Sequence, residues 1–112
     1  MTRDFRPRYI LFTISGEQSL FPISRYTMIS VLRSKTTSLF HSSLKEKNIF
    51  LTRFNGKKGI VRCQHTEKQD TINLLHSITE INGKPVVVKT IATSGTIKSL
   101  VQKHDKEPVL SK

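Results

Sequence analysis

The sequence predicts one domain of the α+β class, and three observations carry that prediction. Its 112 residues fit a single domain, because domains commonly contain about 100 to 150 residues. Strand-like and helix-like segments follow one another in the order β-α-β-β-α-β. The two middle strand segments flank an Asn-Gly pair, which is the strongest short-range signal of a β-hairpin.

The first two elements are a strand and a helix. The segment RYILFTIS, residues 8–15, is rich in β-branched and aromatic residues and is followed by glycine, which predicts the first strand. Apolar residues then recur at near-helical spacing and predict a first helix over about residues 22–41, with Pro22 in its first turn. The apolar positions are Met28, Ile29, Leu32, Leu39 and Phe40.

The segment KNIFLTRFNGKKGIVRCQH, residues 47–65, predicts the hairpin of strands two and three. Asn55 and Gly56 tolerate the positive φ angles of a tight turn, so the turn is expected there. Gly59, inside the third strand, predicts either a bulge or a close backbone approach.

The last elements are a helix, a strand and a terminal helix. Thr66 and Gln69 match a capping box, which predicts a second helix over about residues 67–78. The segment KPVVVKTIAT, residues 84–93, predicts the fourth strand. Ser94 is a suitable cap for a final helix that ends before Pro108.

This order of elements is that of a ferredoxin-like (RRM-like) split βαβ sandwich. Such a fold has a four-stranded antiparallel sheet with two helices on one face, here with a C-terminal helix added. The other face is left for a partner. We therefore predict a basic flexible arm over residues 1–7, a single domain over residues 8–104, and a flexible tail over residues 105–112.

The charge of the chain predicts a polyanionic partner. Nineteen Lys and Arg residues against eight Asp and Glu give a net charge of +11, which is a strong positive field for a small domain. No apolar run approaches the roughly 20 residues that a membrane span needs, and no segment has a strong membrane-surface pattern. The N-terminal segment lacks the apolar core of a secretory signal, so a cytoplasmic protein is expected.

The sequence offers no convincing catalytic or metal site. Cys63 and His65 are two residues apart, but a zinc site needs about four ligands and no second Cys/His pair is present. The acidic residues form no close metal-binding run. We predict no catalytic residues and no cofactor or metal bound by the protein itself.

Nucleic-acid binding agrees with both the charge and the fold. A stacking RNA-recognition module carries aromatic residues on its third strand, but Ile60, Val61 and Cys63 occupy that strand here. We therefore expect contacts to the RNA backbone, which depend on shape and salt more than on sequence. The candidate RNA-binding residues are Arg3, Arg6, Arg8, Lys57, Lys58, Arg62, Ser94, Gly95, Thr96, Lys98 and Lys103.

Ser94 to Lys98 form the most specific of these candidates. At a helix N-terminus backbone N–H groups are free to bind an anion, and Gly95 lets a phosphate approach closely. Thr96 adds a hydroxyl and Lys98 a charge one turn into the helix. The ordinary explanation, helix capping by Ser94, is about equally compatible with the local sequence.

Three stretches of the chain, RPRYILFTI, GIVRC and LLHSITEINGKPVVVKTIATSGTIKSL, resemble the archaeal ribonuclease P protein component 2 family in this order. The resemblance covers about residues 6–103. Its most distinctive parts are TSGTIK after the last strand and the GIVR segment of the third strand, where Lys58 occupies the place of a threonine in the family pattern. Three sets of positions match the family pattern: Arg8 and Tyr9 at the beginning of the first strand, residues 59–62 in the third strand, and residues 94–98 at the beginning of the last helix. The resemblance matches these positions only. The assignment of each position to an RNA contact or to a protein contact is our own inference.

The resemblance implies a ferredoxin-like fold and a place in the ribonucleoprotein that removes the 5′ leader of precursor tRNA. It implies that the RNA subunit and its Mg²⁺ ions perform the hydrolysis. It also implies a barrel-shaped protein partner, ribonuclease P protein component 3. Apolar residues on the helix-free sheet face, on the second and fourth predicted strands, are candidates to seat that partner or a second copy of the chain.

Two alternatives stay open at this level. A general ribonucleoprotein or ribosomal scaffold protein would use the same basic sheet. The other alternative is an independent enzyme with this topology, either a nuclease or an acylphosphatase-like hydrolase. The acylphosphatase-like site needs an anion-binding loop with a nearby arginine, and the segment SGEQSLFP after the first strand has neither the basic residue nor the glycine density.

Overall fold

The computed structural model describes residues 6–98; residues 1–5 and 99–112 are outside the description. The described elements are β1 (Pro7–Gly16), α1 (Arg25–Phe40), β2 (Phe50–Phe54), β3 (Lys58–Gln64), α2 (Lys68–His76), β4 (Glu80–Ile81) and β5 (Lys84–Ser94). Two short 3₁₀ turns, Gln18–Leu20 and His65–Glu67, lie between them. The predicted order of strands and helices is present, with one additional strand.

The sheet has five strands in the order β2-β3-β1-β5-β4, and all of the paired strands are antiparallel. The first four of these strands have the ferredoxin-like order that was predicted. The prediction of a four-stranded sheet is wrong, because Glu80–Ile81 pairs with Lys84–Pro85 across a turn at Asn82 and Gly83. Both turn residues have positive φ. A two-residue strand is too short to show alternation in the sequence, so only the Asn-Gly turn was visible there.

The main core lies between the sheet and the two helices. Alternate residues of β1, namely Ile10, Phe12 and Ile14, point towards the helices and are fully buried. They pack in one cluster with side chains from α1, α2 and β5. The helix contributions to this cluster are Met28, Leu32, Leu74 and Leu75, and β5 contributes Val86 and Val88.

The first helix begins later than the prediction of residues 22–41. Ser24 has an extended backbone, and its hydroxyl accepts a hydrogen bond from the backbone N–H of Thr27, so it is the N-cap and the helix begins at Arg25. Pro22 therefore precedes the helix instead of occupying its first turn. The helix ends at Phe40, and His41 takes the left-handed conformation with φ of 55°.

The capping box predicted at Thr66 and Gln69 does not form. Residues His65–Glu67 form a 3₁₀ turn, and α2 begins at Lys68 with no side-chain cap. The Glu67 carboxylate instead lies 2.7 Å from the Nζ atom of Lys47. This ion pair ties the segment before β2 to the beginning of α2, and the helix is shorter at both ends than the predicted 67–78.

The predicted hairpin is confirmed. The side-chain oxygen of Asn55 accepts hydrogen bonds from the backbone N–H groups of Lys57 and Lys58, and Gly56 has a φ of 103°. Gly59 is a close-approach position: a Cβ added there would lie 2.7 Å from the backbone oxygen of Arg53. The register shift of the hairpin lies in β2, between Leu51 and Arg53, and not at Gly59.

The predicted C-terminal helix falls mostly outside the described residues. Ile97 and Lys98 have helical conformation, and the description ends there. Ile97 packs on Leu11 and Ile60, which lie on the sheet face opposite the main core. Part of the face that was predicted to be left for a partner is therefore covered by this chain. Within residues 6–98, no helix has the length and apolar character that crossing a membrane requires.

Candidate nucleic-acid interface

The helix-free face of the sheet is built by the strand residues that alternate with the core residues. On β1 these are Tyr9, Leu11 and Thr13, and each is paired with one residue of β3 and one of β5. The pairing produces three rows across the sheet. The hairpin-end row is Lys58, Thr13 and Lys89; the middle row is Ile60, Leu11 and Ala92; and the strand-start row is Arg62, Tyr9 and Ser94.

The hairpin-end row is cationic. Lys58 and Lys89 flank Thr13 from the two neighbouring strands, and cross-strand partners have Cβ atoms about 4.5 to 5.5 Å apart. Lys57 lies beside this row at the hairpin tip, with its Nζ atom 5.8 Å from the centre of the Phe21 ring. A pocket of about 340 Å³ opens between Thr13, Lys57 and Lys58.

Lys89 is a residue of this row that the sequence reasoning missed. A single lysine in the run VVVKTIAT resembles any solvent-facing residue of an alternating strand. Its position beside Lys58 follows only from the pairing of β1 with both neighbours. Residues 86–88 are all valine, so the sequence does not show which face Lys89 takes; the burial of Val86 and Val88 in the structure places Lys89 on the outer face.

The middle row is apolar and covered. Leu11 is 2% exposed and Ile60 0% exposed, although both lie on the face opposite the helices. Tyr9, Ala92 and Ile97 pack against them. The apolar side chains that remain open on β2 and β5 are elsewhere: Phe50, Val87 and Ile91 are 43%, 55% and 44% exposed.

The strand-start row brings Arg8 to the predicted phosphate cradle. Because Tyr9 pairs with Ser94, Arg8 lies next to Gly95, and a Cβ on that glycine would be 3.7 Å from an Arg8 guanidinium nitrogen. The same guanidinium donates to the backbone oxygen of Pro7 at 3.0 Å. Arg8, near the beginning of β1, and the predicted cradle thus meet at one corner of the sheet.

The cradle itself differs from the predicted helix cap. The Ser94 hydroxyl accepts a hydrogen bond from the backbone N–H of Thr96 at 3.3 Å. This bond closes a short turn that precedes the helix. Ser94 therefore does not occupy the cap position, because the helical residues begin at Ile97. Lys98 is exposed in the first helical turn. Arg3 and Lys103, also predicted to bind RNA, lie outside the described residues.

The remaining predicted residues are at the same two ends. The backbone oxygen of Arg6 accepts a hydrogen bond from the N–H of His65 at 2.8 Å, which places Arg6 beside the strand-start row. Arg62 is in that row, and its guanidinium carbon lies 5.9 Å from the centre of the Phe50 ring. The two cationic ends are separated by the four-residue step from Tyr9 to Thr13, about 13 Å along the strand.

Three acidic residues between positions 6 and 98 are paired with lysines outside the three rows. The Nζ atom of Lys47 forms salt bridges with a carboxylate oxygen of Glu67 at 2.7 Å and with one of Asp70 at 3.2 Å. Lys84 holds Glu17 at 2.8 Å. The described sheet face carries cationic side chains at both ends, and an anion is favoured there.

Cys63 and His65 do not form a site with other ligands in the described range. Cys63 is fully buried in the main core, and burial raises the pKa of its thiol, which keeps it protonated near neutral pH. No three His, Cys, Asp or Glu side chains come together between residues 6 and 98 in a way that could hold a metal ion.

The comparisons with known proteins point to one family. The model of the Rpp14/Pop5 family matches residues 8–104. The chain is 33% identical over 99 residues to "Ribonuclease P protein component 2" of Methanosarcina barkeri, covering 88% of this chain and 71% of that one. It is 32% identical over 99 residues to the protein of the same name from Archaeoglobus fulgidus, covering 88% of both chains.

A solved structure supports the fold. A chain in the cryo-EM structure of yeast ribonuclease MRP superposes with a TM-score of 0.68, covering 99% of this chain and 88% of that chain. The two sequences are 13% identical, so this likeness concerns the fold alone.

Proposed function

The chain belongs to the Rpp14/Pop5 family, and from that premise we propose that it is a non-catalytic RNA-binding subunit of ribonuclease P. In this role it supports the catalytic RNA in removing the 5′ leader of precursor tRNA. The observation that carries the proposal is the helix-free sheet face, which has cationic groups at both ends and a covered apolar middle. Such a face attracts a phosphate backbone at two places.

The RNA contacts that we propose are to phosphates and not to stacked bases. Base stacking needs exposed aromatic faces on the central strands, whereas Leu11 and Ile60 are buried there beneath Ile97. Tyr9 is the one aromatic residue of the three rows, and it is half-buried against the same cluster. Lysines, arginines and the backbone of residues 94–96 are then the groups that reach the RNA.

The contribution of the protein is electrostatic. A folded catalytic RNA concentrates negative charge around its substrate, and a subunit with a net charge of +11 lowers that repulsion. We propose that the Mg²⁺ ions are held by the RNA subunit and supply the chemistry of phosphodiester hydrolysis when bound there. The residues of this chain bind and orient the RNA.

We propose ribonuclease P protein component 3, the barrel-shaped subunit, as the protein partner, with a second copy of the chain as an additional partner. The support is the exposed apolar side chains of Val87 and Ile91 on β5, which an isolated domain gains nothing by exposing. Precursor tRNA is then contacted indirectly, through the RNA subunit.

The first test is cleavage of precursor tRNA by the cognate ribonuclease P RNA at moderate magnesium. The other protein subunits are present, and this chain is added or withheld. A large rise in cleavage on addition supports the proposal. Tight RNA binding without any rise, or equal affinity for ribosomal RNA, would instead indicate a general ribonucleoprotein scaffold. Cleavage by the purified protein without RNA would indicate an independent enzyme.

The second test assigns the binding face. The double variant Lys58→Ala/Lys89→Ala removes two charges from the hairpin-end row, and Arg33→Ala/Lys68→Ala removes two exposed charges from the helices. Each lost phosphate contact should flatten the slope of log K against log salt by about 0.7 to 0.9. We expect the first double variant to lose about 1.4 to 1.8 of that slope. Equal slopes for the two double variants would contradict the assignment of this face.

A further inference from the structure

A second surface lies at the β2 edge of the sheet and adjoins the strand-start row through Phe50, which pairs with Arg62. A groove of about 390 Å³ runs between α1, the segment 43–49 and the edge strand β2. Its walls are apolar side chains, including Ile29 from α1, Leu44 from the connecting segment and Phe50 from β2. The RNA contacts proposed above use none of these walls.

The rim of this groove is cationic and has no acidic counterpart. Arg25, Arg33 and Lys45 line it, and no Asp or Glu does. Arg33 and Lys45 are exposed, and neither forms a salt bridge with any residue of the range 6–98. The Glu46 carboxylate is turned to the backbone N–H of Ser43 at 2.9 Å. The groove therefore combines an apolar interior with uncompensated positive charge at its edges.

The chemistry of the walls favours protein over RNA as the occupant. Single-stranded bases bind by stacking on aromatic rings, and the walls are mostly aliphatic, with Phe50 already next to the Arg62 guanidinium. An added β-strand is disfavoured as well, because the Arg25 guanidinium donates a hydrogen bond to the backbone oxygen of Leu51 on this edge strand. An occupant must then bind through its side chains.

We propose that this groove binds an acidic amphipathic helix of another protein. Apolar side chains spaced three and four residues apart would enter between α1 and β2, as in other helix-in-groove complexes. Asp or Glu residues flanking that stripe would pair with Arg33 and Lys45. The proposal adds a protein-docking site to the proposed function, and its first test needs no RNA, so the two can fail separately.

The first test uses synthetic helical peptides and fluorescence anisotropy with the full chain. One 18-residue probe carries a leucine stripe flanked by glutamates, a second carries lysines in place of the glutamates, and a third carries serines in place of the leucines. We expect only the first probe to bind. The variant Arg33→Glu/Lys45→Glu should weaken that binding by about tenfold or more.

The matched control is Lys68→Glu combined with Lys89→Glu, which changes the net charge equally at exposed positions outside the groove. We expect this control to bind the first probe nearly as well as the unmodified chain. Equal weakening in both double variants would show only general attraction between a basic protein and an acidic peptide. That result would overturn the proposal, as would failure of the first probe to bind.

The second test identifies the occupant in the assembled particle. A photoactivatable cross-linker is attached to the thiol introduced by Arg33→Cys; the native Cys63 is fully buried and shielded from the reagent. In ribonucleoprotein reconstituted from purified subunits, we expect a cross-link to an acidic helical segment of a protein subunit, and none there from the control Lys68→Cys. A cross-link to RNA, or to no protein subunit, would overturn the proposal.

Discussion

Gly59 is a position of β3 where a single added methyl group should destabilise the fold. A Cβ placed there would lie 2.7 Å from the backbone oxygen of Arg53, 2.9 Å from an edge carbon of Phe54 and 3.0 Å from the ring of Phe12. The two phenylalanine rings are themselves stacked, with centroids 6.3 Å apart. The methyl group of Gly59→Ala has no space without moving the β2 backbone or separating these rings.

The magnitude follows from what must move. Overpacking a well-packed core costs about 1 to 3 kcal/mol, and the backbone oxygen cannot rotate away as a flexible side chain would. Alanine recovers roughly 0.5 to 1 kcal/mol through the lower entropy of the unfolded chain. We expect Gly59→Ala to lower the free energy of unfolding by about 1 to 2 kcal/mol.

The assay is urea unfolding followed by far-ultraviolet circular dichroism. Gly95→Ala is the matched control, because among residues 6–98 a Cβ there meets only an Arg8 nitrogen, at an ordinary contact distance of 3.7 Å. We expect the control to change stability by less than about 0.5 kcal/mol. If Gly59→Ala is no more destabilising than Gly95→Ala, the packing argument for the hairpin is wrong.

Three further predictions concern charge and burial. Lys47→Met should lower the free energy of unfolding by about 1 kcal/mol at pH 8, because hydrogen bonds to Glu67 and Asp70 raise the pKa of Lys47. This stabilisation is fully present below the ordinary pKa of 10.5 and is lost as the pH rises past the raised pKa. Urea unfolding at pH 8 and above the raised pKa should therefore show the stability difference between the two proteins becoming smaller. The buried, protonated thiol of Cys63 should resist iodoacetamide at pH 8 until urea unfolds the chain, and rapid alkylation of the native protein would contradict its burial. The variant Cys63→Ser should unfold at a slightly lower urea concentration and still stimulate precursor tRNA cleavage. Lys98→Ala should weaken RNA binding and flatten the salt slope by about 0.7 to 0.9, whereas an unchanged slope would count against a phosphate contact at the cradle.

Local signals in the sequence were sufficient for some elements and not for others. The Asn55-Gly56 turn was predictable because the side chain of Asn55 and the positive φ of Gly56 are local features of the turn itself. The beginning of α1 was misplaced because two residues, Pro22 and Ser24, both fit a helix start, and only the hydrogen bond to the Ser24 hydroxyl decides between them. The first residue of a helix can thus depend on which of two nearby residues makes the capping hydrogen bond.

The candidate interface depended on pairing that the sequence does not specify. Arg8 and Gly95 are far apart along the chain, and they meet only because β1 and β5 pair in the register that joins Tyr9 to Ser94. The bulge at Ile91 is part of that register, since Leu11 pairs with Ala92 but Phe12 pairs with Thr90. Without this extra residue, every side chain of β5 beyond it would move to the other face.

The covered middle row determines how this sheet can recognise RNA. In a stacking module the central strands are open and aromatic, but here Leu11 and Ile60 already have an apolar partner in Ile97. Removing that cover with Ile97→Asp should expose the row and destabilise the fold. Leu11 and Ile60 offer no aromatic face, and stacking on the neighbouring Tyr9 would not distinguish one base from another. We therefore expect the variant, assayed where it remains folded by circular dichroism, to show no new preference among homopolymeric single-stranded RNAs. A new preference for one base would mean that the sheet centre, and not its charged ends, contacts RNA.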